Sequence, residues 1–232
     1  MKMNNTKFES ERILFEDNHL IIVNKNPGEL SQGDKTGDDT LSDFLKLYLK
    51  KKYKKSGNVY LGITHRLDRP TSGIIIYCKT SKSLTRMNNM FKENKIKKTY
   101  WAVTKKVKSN KVIRLENFLQ KNEKLNKSFV TTNIRKGKKS ILNFKKIKSL
   151  DNYSLIEITL ETGRHHQIRT QLSNFGYPIK GDLKYGFKRA NKDGSIHLHS
   201  RKIEFTHPVT KNKISLISNP PNDNVWNLLI NN

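Results

Sequence analysis

The sequence is poor in cysteine, in acidic residues and in long apolar runs. Its one cysteine, Cys78, lies inside an apolar stretch and has no second cysteine to pair with in the chain. A disulfide framework within the chain is therefore excluded, and a reducing cytoplasm is the expected compartment. No apolar run reaches the length of about eighteen residues that a membrane-spanning helix needs. The first residues, Met1 to Glu11, are polar and lack the apolar segment of a signal peptide. Metal ligands are scarce as well. His197 and His199 lie two apart and would share a strand face, but His165 and His166 are adjacent and diverge. A zinc site needs further ligands at a recognisable spacing, so no metal is expected. There is no Gly-x-x-x-x-Gly-Lys phosphate loop and no dinucleotide fingerprint. Ser72 lacks the Gly-x-Ser-x-Gly frame of a hydrolase nucleophile.

Positive charge is abundant. Lys and Arg number 46 against 20 Asp and Glu, a net of +26. An excess of this size suits a polyanion, either nucleic acid or an acidic membrane surface. The plain alternative is a Lys- and Asn-rich composition with solvated faces. A membrane surface fits less well, because the lysines spread over strands and turns and do not line one amphipathic helix. The length of 232 residues fits one sizeable domain with a real core. No internal repeat or clear linker breaks it. The expected domain covers the whole chain, with a core from about residue 12 to 221 and flexible or peripheral tails outside it.

Short strands are predicted at Ile13–Phe15 and Leu20–Val23, then a Gly- and Asp-rich loop from Ser31 to Asp39. A helix capped by Thr40 follows, with Asp43 in its first turn and Leu41, Phe44, Leu45 and Tyr48 as its apolar stripe. The lysines at its far end suit a helix C-terminus or an RNA contact equally. A second helix spans roughly Ser81 to Glu93, with Leu84, Met87 and Phe91 on its buried face. Strands are predicted at Val112–Leu119, Phe129–Ile134, Ile141–Ile147 and Tyr153–Leu160, in the manner of a meander. In the stretch from Glu161 to Leu172 a strand ends at a Gly and a third helix begins, with Ile168, Leu172 and Phe175 on its apolar face and Gly176 as its stop. Three more strands are predicted at Ile196–Ser200, Lys202–Phe205 and Lys213–Ile217. Strands and helices do not alternate regularly, which points to an α+β fold with a large mixed, mostly antiparallel sheet and a few flanking helices.

The most organised stretch is His65-Arg66-Leu67-Asp68-Arg69-Pro70-Thr71-Ser72-Gly73, followed by Ile74-Ile75-Ile76-Tyr77-Cys78. One acid stands between two arginines on a loop that Pro70 stiffens, and a β-branched strand anchors it. Spacing alone allows Asp68 to be a structural acid paired with Arg66 or Arg69. Between Arg135 and Lys148, seven of fourteen residues are basic and none is acidic. That stretch reads either as a protected sheet edge or as a rim that tracks phosphates. Tyr100 and Trp101 offer aromatic faces to a base.

From about Ile13 to Pro221 the chain resembles the RluA-type RNA pseudouridine synthases. His65 to Gly73 is similar to the motif that holds the family's nucleophilic Asp. Lys98-Thr99-Tyr100-Trp101-Ala102 is similar to the motif of its active-site Tyr. Gly163-Arg164-His165-His166-Gln167-Ile168-Arg169 resembles its third motif, whose last Arg pairs with the nucleophile. Ile13 to Asp17 with Val23-Asn24-Lys25 resembles the opening segment, and His207-Pro208-Val209-Thr210 the closing strand. Many relatives carry an extra N-terminal RNA-binding domain, and with motifs that start near residue 13 none is expected here.

The resemblance implies isomerisation of uridine to pseudouridine in ribosomal or transfer RNA, with no cofactor. It assigns Asp68 as nucleophile, Tyr100 to the uracil, and Arg169 as the partner of Asp68. An ordinary Asp, with a pKa of about 3.9, is ionised roughly a thousandfold at pH 7, and an arginine partner would oppose the rise that burial brings. Expected RNA contacts are Arg66, as a wedge into the space left by a flipped uridine, together with Lys98, Arg164, Lys138 and Lys139. The partner is RNA, with no membrane or metal, and the chain is expected to act as a monomer. The rival reading is an RNA-binding or ribosome-associated protein without catalysis, which has no use for Asp68, Tyr100 and Arg169 together.

Overall fold

Leu20 to Val23 and Ile74 to Cys78 are apolar without alternation, and each of these side chains is fully buried. Runs of this kind belong to strands covered on both faces. In the computed structural model, which describes residues 8–34 and 36–230, they lie in adjacent strands. The chain divides into two compact units, Met1–Ile96 with Lys202–Asn219, and Lys97–Arg201 with Pro220–Asn232.

In the first unit, β1 (Ile13–Glu16), β2 (Leu20–Lys25) and β4 (Ser72–Cys78) pair antiparallel in that order, and β3 (Gly62–Ile63) adds to β4. Helix α1 (Leu41–Lys52) starts at a Thr40 capping box closed by Asp43, as the sequence predicts. Its fully buried residues are Leu41, Ser42, Leu45 and Leu49, so Phe44 and Tyr48 of the expected stripe are only half covered. Helix α2 (Ser81–Lys92) lays Met87 into a cluster with Ile22, Ile74 and Ile76, with Leu84 and Phe91 packed beside it.

The second unit is a meander. Strand β5 (Lys97–Lys105) pairs with β9 (Tyr153–Leu160), β9 with β8 (Lys138–Ser149), β8 with β6 (Ile113–Asn122) and β6 with β7 (Lys127–Thr131), all antiparallel. Helix α3 (Gln167–Asn174) ends at Phe175, and Gly176 beyond it has φ +92°. Strand β7 ends earlier than the predicted Phe129–Ile134, because Asn133 accepts from Lys136 and Gly137 and forms a turn.

The C-terminal region departs from expectation in three places. Two predicted strands are one, β10 (Leu198–Thr206), whose residues from Lys202 onward pair with β11 (Lys213–Ile217) in the first unit. His207 to Thr210, read by resemblance as a closing strand, is the turn between them. His207 Nδ1 accepts from the Val209 and Thr210 amides there. Where a tail was expected, Asn224–Ile230 is a fourth helix, α4, whose Trp226 and Leu229 pack on Val103 and Leu155. Of the expected N-terminal tail, residues 1–7 lie outside the described residues, and Ser10–Arg12 makes one 3-10 turn. Among the described residues there are four helices and eleven strands, an α+β fold with a mostly antiparallel sheet. No helix among them is long and apolar enough to cross a membrane.

Candidate active site

The first unit builds the loop that carries Asp68. Strand β3 stops at Ile63, and the side chains that follow take over the ladder. Thr64 Oγ1 donates to the Ile76 carbonyl at 3.0 Å, and the Ile76 amide donates to His65 Nε2 at 3.0 Å. The His65 ring lies 4.9 Å from that of Phe91 on α2. Ser31 holds the next segment, since its Oγ donates to the Leu67 carbonyl at 3.0 Å and accepts the Leu67 amide at 3.2 Å. A turn closes from the Thr71 amide to the Asp68 carbonyl at 2.9 Å. Gly73, opposite Lys25 in the β2–β4 ladder, has φ +112°, a conformation that a side chain would strain.

Beneath the loop is an ammonium. Lys25 is fully buried, and its Nζ donates to the carbonyls of Asn26, Arg69 and Thr71 at 3.0, 3.1 and 2.7 Å. Burial pulls it down to about 7, while the charges of Glu29 and Asp68 pull it back up. Arg69 turns to the other side of the loop. Its Nε donates to the Gly28 carbonyl at 3.0 Å, and its Nη2 meets Asp38 at 2.9 Å. Arg66 is exposed.

In the second unit, Tyr100 is a buried residue of β5, paired with Ile158, which in turn pairs with Phe144 of β8. The Phe144 ring meets that of Phe175 at the end of α3 at 6.1 Å, so Tyr100 and α3 share one side of this sheet. Lys98 projects to the same side as Tyr100 by strand alternation. A Cβ on Gly163 would come within 3.3 Å of its Nζ, and burial holds its pKa below the ordinary lysine value. The turn before α3 is fixed by buried Gln167. Its Oε1 accepts from the Arg164 amide at 2.9 Å and from Thr162 Oγ1 at 2.8 Å, while its Nε2 donates to the Ile141 carbonyl at 3.1 Å. His166, at φ +52°, caps the helix from the left-handed region and stacks on His165 at 3.8 Å.

Arg169 is buried with its side-chain acid Asp182. Its Nε donates to Oδ2 at 2.7 Å and its Nη2 to Oδ1 at 2.9 Å. The Tyr185 ring lies under it, 4.9 Å from Cζ. Neither Asp182 nor Tyr185 was singled out as functional from the sequence. The recoverable signal was Gly181-Asp182 and Tyr185-Gly186 in one punctuated loop directly after the third motif. Of the other expected RNA contacts, Arg164 is exposed and donates from Nε to the Lys139 carbonyl at 3.2 Å. Lys138 is exposed, and Lys139 pairs with Glu116 at 2.6 Å. Asp68 and Arg66 thus belong to the first unit, and Tyr100, Lys98, Arg164, Arg169, Lys138 and Lys139 to the second. Among the described residues no group of three His, Cys, Asp or Glu is placed to hold a metal ion.

The fold is that of the pseudouridylate synthases. The solved structure titled Human RNA Pseudouridylate Synthase Domain Containing 4 superposes with a TM-score of 0.77 at 21% identity, covering 94% of this chain and 92% of its own. Human RNA Pseudouridylate Synthase Domain Containing 1 gives 0.71 at 18% identity, covering 94% and 86%. The family model described as RNA pseudouridylate synthase matches residues 19–174, and the chain belongs to that family. A ribosomal large subunit pseudouridine synthase C of Buchnera aphidicola subsp. Acyrthosiphon pisum (strain APS) is 34% identical over 211 residues, 88% of this chain. A ribosomal large subunit pseudouridine synthase D of Borreliella burgdorferi (strain ATCC 35210 / DSM 4680 / CIP 102532 / B31) is 32% identical over 239 residues, 95% of this chain. The chain spans 65% of the length of the first relative and 72% of the second.

Proposed function

We propose that this protein converts uridine to pseudouridine in large-subunit ribosomal RNA, with Asp68 as the nucleophile. Relatives named for that substrate support the RNA class. The observation that carries the assignment of Asp68 is the bracing of its loop. Lys25, Ser31 and His65 all spend side-chain hydrogen bonds on the backbone around one carboxylate or on the strand that anchors it. Such support fits a group that must be presented in one geometry.

The reaction is an isomerisation. The bond from C1′ to N1 breaks, the uracil turns in its pocket, and C5 bonds to C1′. The proton displaced from C5 is lost, and N1 gains one, so atoms and charge balance without a co-reactant. Asp68 attacks either C1′ or C6 of the uracil and leaves when the new bond has formed. Arg169 is assigned to serve that carboxylate by its place in the third motif. Tyr100, largely buried, stacks on the base or helps to move the proton. Arg66, exposed beside Asp68, fills the space of the flipped nucleotide, a step that costs a few kcal/mol and least in unpaired RNA. The basic surface supplies backbone affinity.

Pseudouridine mapping of total RNA from cells with and without the gene, with an Asp68→Ala rescue beside it, tests this reading. Large-subunit sites that vanish without the gene and stay absent in the rescue are expected. Loss of transfer RNA sites instead would move the substrate. Restoration by Asp68→Ala would remove the nucleophile, and an unchanged map would favour a binding protein without catalysis.

A further inference from the structure

Buried ion pairs are poor devices for stability. Stripping both charges of water costs as much as their attraction returns, and apolar residues of the same volume serve the fold as well. What such a pair supplies is orientation. The pair of Arg169 and Asp182 is dry on both sides, with side-chain exposures of 6% and 1%. It is a two-bond, side-on pair that uses Nε and Nη2, so the guanidinium cannot rotate in its plane without breaking charge-assisted bonds in a water-free site.

The second restraint acts on the face. Tyr185 is buried, and its ring lies 4.9 Å from the guanidinium carbon. That ring is itself pinned. Its hydroxyl accepts the Ser128 amide at 2.8 Å and shares a hydrogen bond of 2.8 Å with His166 Nδ1. The loop bearing both residues is rigid. The Asp182 amide donates to Ile179 at 3.0 Å, and the Asp182 carbonyl accepts from Tyr185 at 3.2 Å and Phe187 at 3.0 Å. Gly181, at φ +88°, leaves no room for a side chain, since a Cβ would lie 2.8 Å from the Ser195 carbonyl. The loop thus brings Asp182 to the edge and Tyr185 to the face of one arginine.

We infer that Asp182 and Tyr185 are positioning residues for Arg169, the carboxylate fixing the guanidinium's edge and the ring its face. The inference rests on the reading that Arg169 serves Asp68. It adds a layer behind that residue, contributed by the loop after α3.

The test uses the full chain and an RNA transcript that contains the mapped site. Asp182→Asn keeps shape and removes charge. It is expected to leave RNA affinity within about threefold and to lower the single-turnover rate by at least about thirtyfold. The Arg169 side-chain Nε–H resonance should shift and lose its protection from exchange. In an Arg169→Gln background, Asp182→Asn should change the rate by less than about threefold, because a residue that acts through another has nothing left to act on. A wild-type rate for folded Asp182→Asn, or a loss that multiplies in full onto that of Arg169→Gln, would overturn the inference. If Asp182→Asn does not fold, Asp182→Glu keeps the charge and displaces the guanidinium. A rate loss of at least about tenfold with unchanged affinity is then expected, and an unchanged rate overturns the inference. Asp68→Ala and Arg169→Gln run alongside. Full activity in either sinks the active-site reading itself, whereas loss in both with full activity in Asp182→Asn sinks only the seat.

Discussion

The Lys25 ammonium donates to the Thr71 carbonyl across 2.7 Å, three residues beyond Asp68, in a site without solvent exposure. Two more carbonyls take its remaining protons, so three N–H bonds meet three acceptors. The donor pattern is that of the charged form, and the absence of water is what pulls its pKa down to about 7.

A pH dependence follows from that burial. Between about pH 7 and pH 10 the unfolded chain keeps the Lys25 proton and the folded chain releases it. The unfolded state then binds more protons, so this residue's contribution to stability rises with pH across the window. Lys25→Met removes the titration. Denaturant unfolding of both proteins at about pH 6.5 and pH 9.5 should show the wild type gaining about 3 kcal/mol relative to the variant at the higher pH. A constant difference would mean that Lys25 titrates as an ordinary lysine.

Arg169→Lys is expected to fail despite the kept charge. Lysine has no planar fork to match both oxygens of Asp182. The single-turnover rate should fall on the order of a hundredfold with RNA affinity nearly unchanged, about 2.7 kcal/mol of barrier. A rate within a few-fold of wild type would show that charge alone suffices.

Lys138→Glu with Lys139→Glu tests the basic start of β8. Lys139 pairs with Glu116 at the surface, an arrangement of small worth, so stability should move by less than about 1 kcal/mol. RNA binding should weaken, and the slope of affinity against salt should become shallower by about 1–2. The rate at saturating RNA should stay the same. Unchanged binding would assign both residues to solubility.

Trp226→Ala should cost about 3–5 kcal/mol of stability, a loss readable as a lower denaturant midpoint. The indole is buried against Val103 and Leu155 and stacks on His197 at 5.3 Å. An effect under about 0.5 kcal/mol would restore the expectation of a peripheral tail.

Local chemistry made much of the fold legible. Thr40 and Asp43 spell a capping box, Gly176 a helix stop, and the apolar run after Gly73 a buried strand. The motifs also placed Asp68 on a braced loop and Arg169 on a helix. What the sequence hid depends on contacts made at a distance. Asp182 stands thirteen residues from Arg169, and its loop is located by Ile179, which bridges to Thr104 on β5. No local spacing encodes that meeting. Helix α4 has seven residues, too few for a period to declare itself, and its packing partners lie on β5 and β9. Arg201 looked like a break between strands, yet it lies over the Trp101 ring at 4.2 Å and the strand runs on.

Two residues of the Ser31 to Asp39 segment hold the loop that bears Asp68. Ser31 engages both backbone groups of Leu67, and Asp38 engages Arg69. Leu67 and Arg69 are the immediate neighbours of Asp68, so the segment grips it from either flank. The segment and the loop of Asp68 therefore behave as one mechanical piece. Exchanging it for that of a relative would carry away the scaffolding of Asp68 unless Ser31 and Asp38 were kept.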